Sequence, residues 1–160
     1  MPIQQKIVRA AARCSLATGA VIACHTGKGA VATHLLKILN EEGLENNRLI
    51  VVHADAEENI EIHLEIARKG AWIEYDGLSQ NTSEKILKLL RFMLDHGFEE
   101  QILLSQDAGW YNVGQPRGGN IKGYEYLIED FVPLMKKNGF DQKLIDKILV
   151  ENPAKAFQIE

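Results

Sequence analysis

Three short apolar segments of this chain each lead to a side chain that binds metal ions in proteins. The first ends at His25, the second at His53, and the third reaches Asp107 three residues past its last leucine. Short apolar runs bounded by turn residues are typical of buried strands. If the three strands are parallel neighbours, their ends share one edge of a sheet. The sequence then predicts that the three side chains converge on one metal site, which this chain leaves incomplete.

Strands and helices alternate along the chain. Strands are predicted over 20–25, 48–53, 71–76 and 101–107, and helices over 2–18, 29–42, 57–69, 82–96, 123–138 and 141–150. Alternation at this interval indicates parallel strands joined by right-handed crossovers. Near-continuous apolar strands indicate a sheet covered on both faces. We therefore predict a single α/β domain over all 160 residues.

Composition narrows the classes of function. Hydrophobic residues make up 46% of the chain and charged residues 25%, which is ordinary for a globular domain. A net charge of -4 disfavours nucleic acid as a partner, since phosphate binding needs an excess of lysine and arginine. No apolar stretch is long enough for a membrane span, and the N-terminus lacks a signal-peptide pattern. We expect a cytoplasmic protein without membrane partners.

The metal prediction competes with simpler interpretations. In parallel α/β folds, ligands bind at the carboxyl ends of the strands, which here carry His25, His53, Asp76 and Asp107. Imidazole and carboxylate groups suit zinc or a similar divalent ion. A single histidine at a strand end is more commonly structural, and a single aspartate there commonly caps a helix. The coincidence of three strand ends is what favours a metal site.

Several other polar residues have local explanations. Asp55 is interpreted as the cap of the helix that follows, although it could also face the site. Glu57, at the start of that helix, is interpreted as compensation of the helix dipole. His34, His63 and His96 lie within helices and are interpreted as surface or packing residues.

Two glycine-rich segments follow predicted strands. Gly27-Lys28-Gly29 resembles a phosphate-binding loop, but Ile22 and Gly29 stand where that loop needs glycine and Ser or Thr. The segment 108–122 is the longest irregular stretch, and loops of this length are usually functional or disordered. Trp110 and Tyr111 near its start favour an ordered binding loop.

Short motifs along the chain recur in an order typical of one family. At the strand ends they are Cys24-His25-Thr26, Val52-His53-Ala54-Asp55, Tyr75-Asp76 and Leu104-Ser105-Gln106-Asp107. Elsewhere they are Arg9-Ala10-Ala11-Ala12-Arg13, Thr18-Gly19, Gly123-Tyr124-Glu125-Tyr126-Leu127, Phe131-Val132-Pro133-Leu134, Gly139-Phe140 and Glu151-Asn152-Pro153-Ala154. Together they resemble the phosphotriesterase family of the amidohydrolase superfamily, over essentially the whole chain.

The resemblance implies a (β/α)8 barrel with two metal ions, usually zinc, in which metal-bound hydroxide attacks an ester, lactone or phosphoester. It implies that His25 and His53 bind one metal. It also implies that Asp107 binds the other and transfers a proton, and that Asp76 lies close to the substrate. Trp110 and Tyr111 are expected to form an apolar wall for that small-molecule substrate.

The resemblance also implies that half of the barrel is missing. Family members begin with a strand that carries a His-x-His pair, and a later strand supplies a carbamylated lysine that bridges the metals. The matching motifs start at the helix after that lysine strand, so we expect this chain to contain strands five to eight only. It would then be the product of a shortened gene, an artificially cut chain or a fragment of a longer protein. A whole barrel needs about 250 residues.

Half a barrel would leave two sheet edges and apolar surface open. We therefore expect the chain to dimerise, to pair with a missing N-terminal half-barrel, or to be poorly stable. Alone it should hold at most one metal weakly and show little or no hydrolase activity. Two alternatives are a non-catalytic half-barrel that folds or oligomerises without metal, and a small α/β domain whose 27–29 turn binds an anion.

Overall fold

A computed structural model describes residues 2–159 of the chain. The first helix, α1, spans Ile3–Thr18, and three strand-helix units and a fourth strand follow. They are β1 Ile22–His25, α2 Gly29–Glu41, β2 Leu49–Val52, α3 Ile60–Arg68, β3 Trp72–Tyr75, α4 Ser83–Asp95 and β4 Ile102–Leu104. The C-terminal part contains α5 Val132–Lys137, α6 Gln142–Asp146 and α7 Asn152–Ala156. All four predicted strands are present, each shorter than predicted.

The four strands form one parallel sheet in the order β1-β2-β3-β4. Chain order and spatial order coincide, so each helix crosses over between adjacent strands. His25 pairs with Val52, and Tyr75 pairs with Leu104. The carboxyl ends of all four strands therefore lie along one edge, as the sequence predicts.

The core lies mainly between the sheet and the helices that cover its outer face. Strand residues such as Leu49, Ile73 and Tyr75 pack there against buried leucines of α2 and α4. The inner face is smaller and carries Ile50, Trp72 and Leu103, which pack with Ala156 of α7. Helix α7 thus covers the apolar part of the inner face, leaving the carboxyl ends of the strands uncovered by it.

The buried His63 confirms one interpretation made from the sequence. It is 1% exposed, and its Nδ1 lies 2.9 Å from the Tyr75 hydroxyl. Its Nε2 donates to the carbonyl oxygen of Glu57 over 3.3 Å. Burial lowers the pKa of the His63 imidazole, which therefore stays neutral. This pair ties α3 and β3 to the loop after β2.

The C-terminal helices differ from the prediction. Residues Leu127–Phe131 and Lys147–Glu151 form π-helical turns that run directly into α5 and α7. Pro133 and Pro153 each lie at the second residue of the α-helix that follows such a turn. The chain continues helically through Asn152 and Pro153, past residue 150, where the predicted helix ends. Asp141 caps α6 as predicted, accepting from the Leu144 amide over 2.8 Å.

Apolar side chains remain exposed beside the open sheet. Ile3 and Ile7 on α1 are 63% and 61% exposed, while Ala12 is the buried apolar residue of that helix. Tyr124 and Ile128 in the C-terminal part of the chain are exposed as well. Within residues 2–159, every helix is too short or too polar to cross a membrane.

Candidate metal and hydrolytic site

The ends of β1 and β2 bring two predicted metal ligands into contact. The imidazole rings of His25 and His53 lie edge to face, with centroids 4.3 Å apart and an angle of 73° between their planes. This contact follows from the strand register, because His25 pairs with the residue before His53. His25 is exposed and His53 is partly exposed, so both rings are accessible at the sheet edge.

Asp76, at the end of β3, holds His53 in place. One carboxylate oxygen lies 2.7 Å from His53 Nδ1, and the other accepts from the His53 backbone amide over 3.1 Å. An ionised carboxylate only accepts, so His53 Nδ1 carries the proton and Nε2 keeps its lone pair. A histidine held by a carboxylate in this way is typical of metal ligands.

The pKa values of this pair reflect its burial. Asp76 is 3% exposed, and burial raises the pKa of its carboxyl group against the opposing effect of His53. Burial lowers the pKa of His53, but the hydrogen bond and charge of Asp76 outweigh it, so the net shift is upward. Since both hydrogen bonds of the Asp76 side chain go to His53, this geometry favours a role in orienting that ring. The predicted substrate contact of Asp76 stays a prediction.

Asp55 does not cap α3, which corrects the interpretation made from the sequence. Its Oδ1 accepts from the backbone amides of Asp76 and Gly77, over 3.0 and 3.2 Å. The cap is Asn59, whose side chain accepts from Glu61. The reason is a 3-10 turn over Ala54–Ala56, which delays the start of the helix. Asp55 instead fixes the backbone next to the carboxylate that holds His53.

The Glu57 side chain, like that of Asp55, forms its hydrogen bonds outside α3. Its Oε2 accepts from the Gly29 amide at the start of α2 over 2.7 Å, and Oε1 accepts from the Asn59 amide over 2.8 Å. These backbone donors lower the pKa of its carboxyl group. The interpretation as dipole compensation for α3 is therefore incomplete, because the carboxylate lies at the start of α2. It also occupies the Gly29 amide, which an anion bound to the 27–29 turn would need.

Two predicted ligands adopt backbone conformations that are costly for residues other than glycine. His53 has φ 61° and Asp107 has φ 42°. Left-handed backbone costs a non-glycine residue about 1 kcal/mol or more and concentrates at functional sites. Within residues 2–159, the third non-glycine residue of this kind is Arg117, in the loop after β4.

Asp107 lies at the start of the loop after β4. It is exposed, and its Oδ1 accepts from the Trp110 indole over 2.9 Å. Trp110 and Tyr111 are 66% and 63% exposed, so most of their aromatic surface is free. The Gly109 amide donates to the Lys122 carbonyl over 3.0 Å, which closes the loop at its base. This ordered loop puts aromatic surface beside a predicted ligand.

The three predicted ligands do not form one cluster. Within residues 2–159, no three histidine, cysteine, aspartate or glutamate side chains are close enough to hold an ion together. His25 and His53 form a pair, and Asp107 stands apart from it. The prediction that one metal site gathers all three is therefore wrong, and the assignment of the pair and of Asp107 to two different metals stays a prediction.

The sequence analysis missed two polar residues near the site. Glu74, on the inner face of β3, is half-buried, and burial raises the pKa of its carboxyl group against a hydrogen bond from Ser105. Gln106 is 8% exposed, and its side chain accepts from the Leu127 amide and donates to the Tyr124 carbonyl. A charged residue inside an apolar strand was the available signal for Glu74. No sequence signal distinguished Gln106.

An open parallel sheet with crossover helices, whose carboxyl edge carries paired histidines and aspartates, defines the chain as part of an α/β barrel fold. The family model for the phosphotriesterase family matches residues 1–157. The chain therefore belongs to the phosphotriesterase family.

Individual relatives are all about twice as long as this chain. The phosphotriesterase homology protein of Escherichia coli is 31% identical over 98% of the chain and 54% of its own length. The mouse N-acetyltaurine hydrolase is 27% identical over 94% of the chain and 47% of its length. The crystal structure of a lactonase from Listeria monocytogenes superposes with a TM-score of 0.87 at 30% identity, covering 100% of the chain and 51% of the lactonase. The chain thus spans half of a phosphotriesterase-type barrel.

Proposed function

We propose that this chain supplies the C-terminal half of a metal-dependent hydrolase that acts on an ester, lactone or phosphoester. The observation that carries the proposal is the His25–His53 pair, with His53 fixed by Asp76 at the carboxyl edge of the sheet. Strand ends are where barrels of this kind hold their active sites. A lactonase and an amide hydrolase among the relatives support hydrolysis as the reaction class.

The donor set fits a divalent ion, and zinc best. Two imidazoles, one oriented by a carboxylate, match what zinc requires of its ligands. His25 and His53 would hold one ion, and Asp107 would contribute to a second. Such an ion would supply Lewis-acid activation of the attacking water and of the electrophilic substrate oxygen.

The remaining steps fall to the chain's own side chains. Asp107 is exposed, with one carboxylate oxygen engaged by Trp110, so it can accept a proton from the attacking water. Asp76 keeps His53 oriented throughout. Trp110 and Tyr111 offer an apolar surface beside Asp107 for the nonreacting part of the substrate. Specificity would then lie in the loop after β4, as is usual where loops shape a barrel mouth.

We expect the 160-residue chain by itself to show little or no turnover of lactone or phosphotriester substrates. The relatives are twice as long, and the chain provides a pair of histidines where a two-metal site needs more ligands. The measurement is hydrolysis of both substrate classes by the purified chain with added zinc, beside Asp107→Asn. Turnover well above background that is lost in Asp107→Asn would show that the chain is a complete enzyme.

The proposed partner is the complementary half-barrel. The outer strands β1 and β4 each pair on one side within residues 2–159. Ile3 and Ile7 leave an apolar surface on α1, which contacts β1. A complementary half-barrel would pair the free sides of both strands and cover this surface.

Without that partner, we expect the chain to associate with itself at micromolar concentration. The measurement is sedimentation velocity over a concentration series, with Ile7→Lys expected to shift the population toward monomer. Val113→Lys, at a 92% exposed position in the loop after β4, is the matched control and should leave the distribution unchanged. A monodisperse monomer that binds no apolar dye would contradict the open-barrel account.

A second candidate is a non-catalytic half-barrel that folds without metal. The observation in its favour is that the described residues bring together a pair of ligands and no third. Zinc titration of the metal-free chain distinguishes the two candidates, since a weakly held ion would be lost on dialysis. Zinc binding by the wild-type chain that is lost in His25→Ala and His53→Ala supports the hydrolase half, and no zinc binding by the wild-type chain supports the structural half-barrel.

A further inference from the structure

The loop after β2, residues 53–59, contacts the ends of both neighbouring strands. We propose that Glu57 of this loop is a positioning residue that sets where His25 lies relative to His53. The inference rests on the proposed function, in which these two histidines act as a ligand pair. Nothing in the sequence pattern indicates this role, because Glu57 lies 32 residues after His25, at the start of a predicted helix.

The turn after His25 is held at both of its ends, to β2 at the first and to the loop after β2 at the second. At its first residue, the Thr26 hydroxyl and amide donate to the Val52 carbonyl, over 2.7 and 3.2 Å. At its last residue, the Gly29 amide donates to Glu57 Oε2 over 2.7 Å. His25 immediately precedes this turn, so its backbone position depends on both attachments.

Glu57 is itself fixed from the core. Its carbonyl oxygen accepts from the buried His63, and its second carboxylate oxygen accepts from the Asn59 amide. The carboxylate therefore uses both oxygens as acceptors for two different backbone amides. A glutamine in its place offers one acceptor oxygen, so it can serve only one of those amides well.

Gly29 fits this contact because it lacks a side chain. A Cβ at this position would collide with the Ile62 side chain and lie 3.2 Å from Glu57 Oε2. The backbone at Gly29 thus approaches the loop after β2 more closely than another residue would allow. The same loop fixes His53 through Asp55 and Asp76, so one segment locates both histidines.

A purely structural role would be simpler, since a carboxylate at the start of a helix stabilises the helix dipole. That role predicts a loss of stability in Glu57 variants, with the geometry of the histidine pair unchanged. The positioning role predicts that the histidine contact and the zinc affinity change by more than the stability does. The two roles therefore separate by measurement.

The experiment compares Glu57→Gln and Glu57→Ala with Glu58→Gln, a control at the adjacent exposed position. Three quantities are measured on the purified chain: nuclear Overhauser contacts between the His25 and His53 rings without metal, zinc affinity by chelator competition, and the thermal midpoint. We expect Glu57→Gln to weaken the ring contacts and to lower zinc affinity about tenfold, in the range found for residues behind metal ligands. Glu57→Ala should do so more strongly, and Glu58→Gln should match wild type.

Unchanged ring contacts and zinc affinity in a folded Glu57→Gln chain would overturn the inference, whatever the thermal midpoint does. If the wild-type chain binds no zinc but Glu57→Gln still loses the ring contacts, the positioning role stands and the proposed metal function fails. Should Glu57→Ala not fold, Glu57→Gln alone decides the question, because it keeps the size of the side chain.

Discussion

Replacing Asp76 by alanine is expected to lower the free energy of unfolding by about 3 kcal/mol, the scale found when a buried, charged hydrogen-bonding partner is removed. Asp76 is 3% exposed and accepts hydrogen bonds from both the backbone and the ring of His53. Alanine would leave two donors of His53 without partners. It would also remove the group that compensates the left-handed backbone of that residue.

Thermal or urea unfolding measures this effect. For a chain of this length, a loss of 3 kcal/mol corresponds to a fall of about 6–12 °C in the midpoint. Asp130→Ala, at an exposed position in the C-terminal helical segment, is the control and should change stability by less than about 0.5 kcal/mol. An Asp76→Ala chain as stable as the control would contradict the role assigned to this carboxylate.

Asp76→Asn separates the structural and functional parts of that role. The amide keeps an acceptor for His53 Nδ1 but faces the His53 backbone amide with a second donor. It also removes the negative charge that strengthens the imidazole as a ligand. We expect a smaller loss of stability than for alanine, and a fall in zinc affinity of about tenfold or more.

The alternation of strands and helices could be predicted because it depends on local sequence. Apolar runs ending at His25, His53 and Asp76 give the positions of β1, β2 and β3 to within two residues, and parallel order follows from the connections. The proximity of His25 and His53 then follows from adjacent strand ends. Predicting this part of the site required no information on long-range packing.

The roles of Asp55 and Glu57 depend on contacts between loops, which local patterns do not show. In sequence, Asp55 is interpreted as a helix cap and Glu57 as compensation of the helix dipole, because acidic residues commonly start helices. A single 3-10 turn after His53 moves the helix start to Ile60, and the Asp55 side chain bonds at the end of β3 while that of Glu57 bonds at the start of α2. The exposure of Ile3 and Ile7 likewise depends on what covers α1, which the rest of a barrel would decide.

The largest functional effect is expected for the histidine pair. Each histidine contributes one imidazole ligand to a shared ion, so removal of either side chain leaves a single ligand with weak affinity. We expect His25→Ala and His53→Ala each to lower zinc affinity by about 100-fold or more, exceeding the effect of residues behind the ligands. His34→Ala is the matched control, because His34 is exposed on α2 and bonded only to Gln5 within the described chain.

Zinc titration of the purified, metal-free chain by calorimetry, with these three variants, tests the central claim most directly. The account predicts at most one weakly bound ion per chain, retained in His34→Ala and lost in both His25→Ala and His53→Ala. Zinc binding of equal stoichiometry and affinity in a His25→Ala/His53→Ala double variant would contradict the claim that this sheet edge carries half of a metal centre.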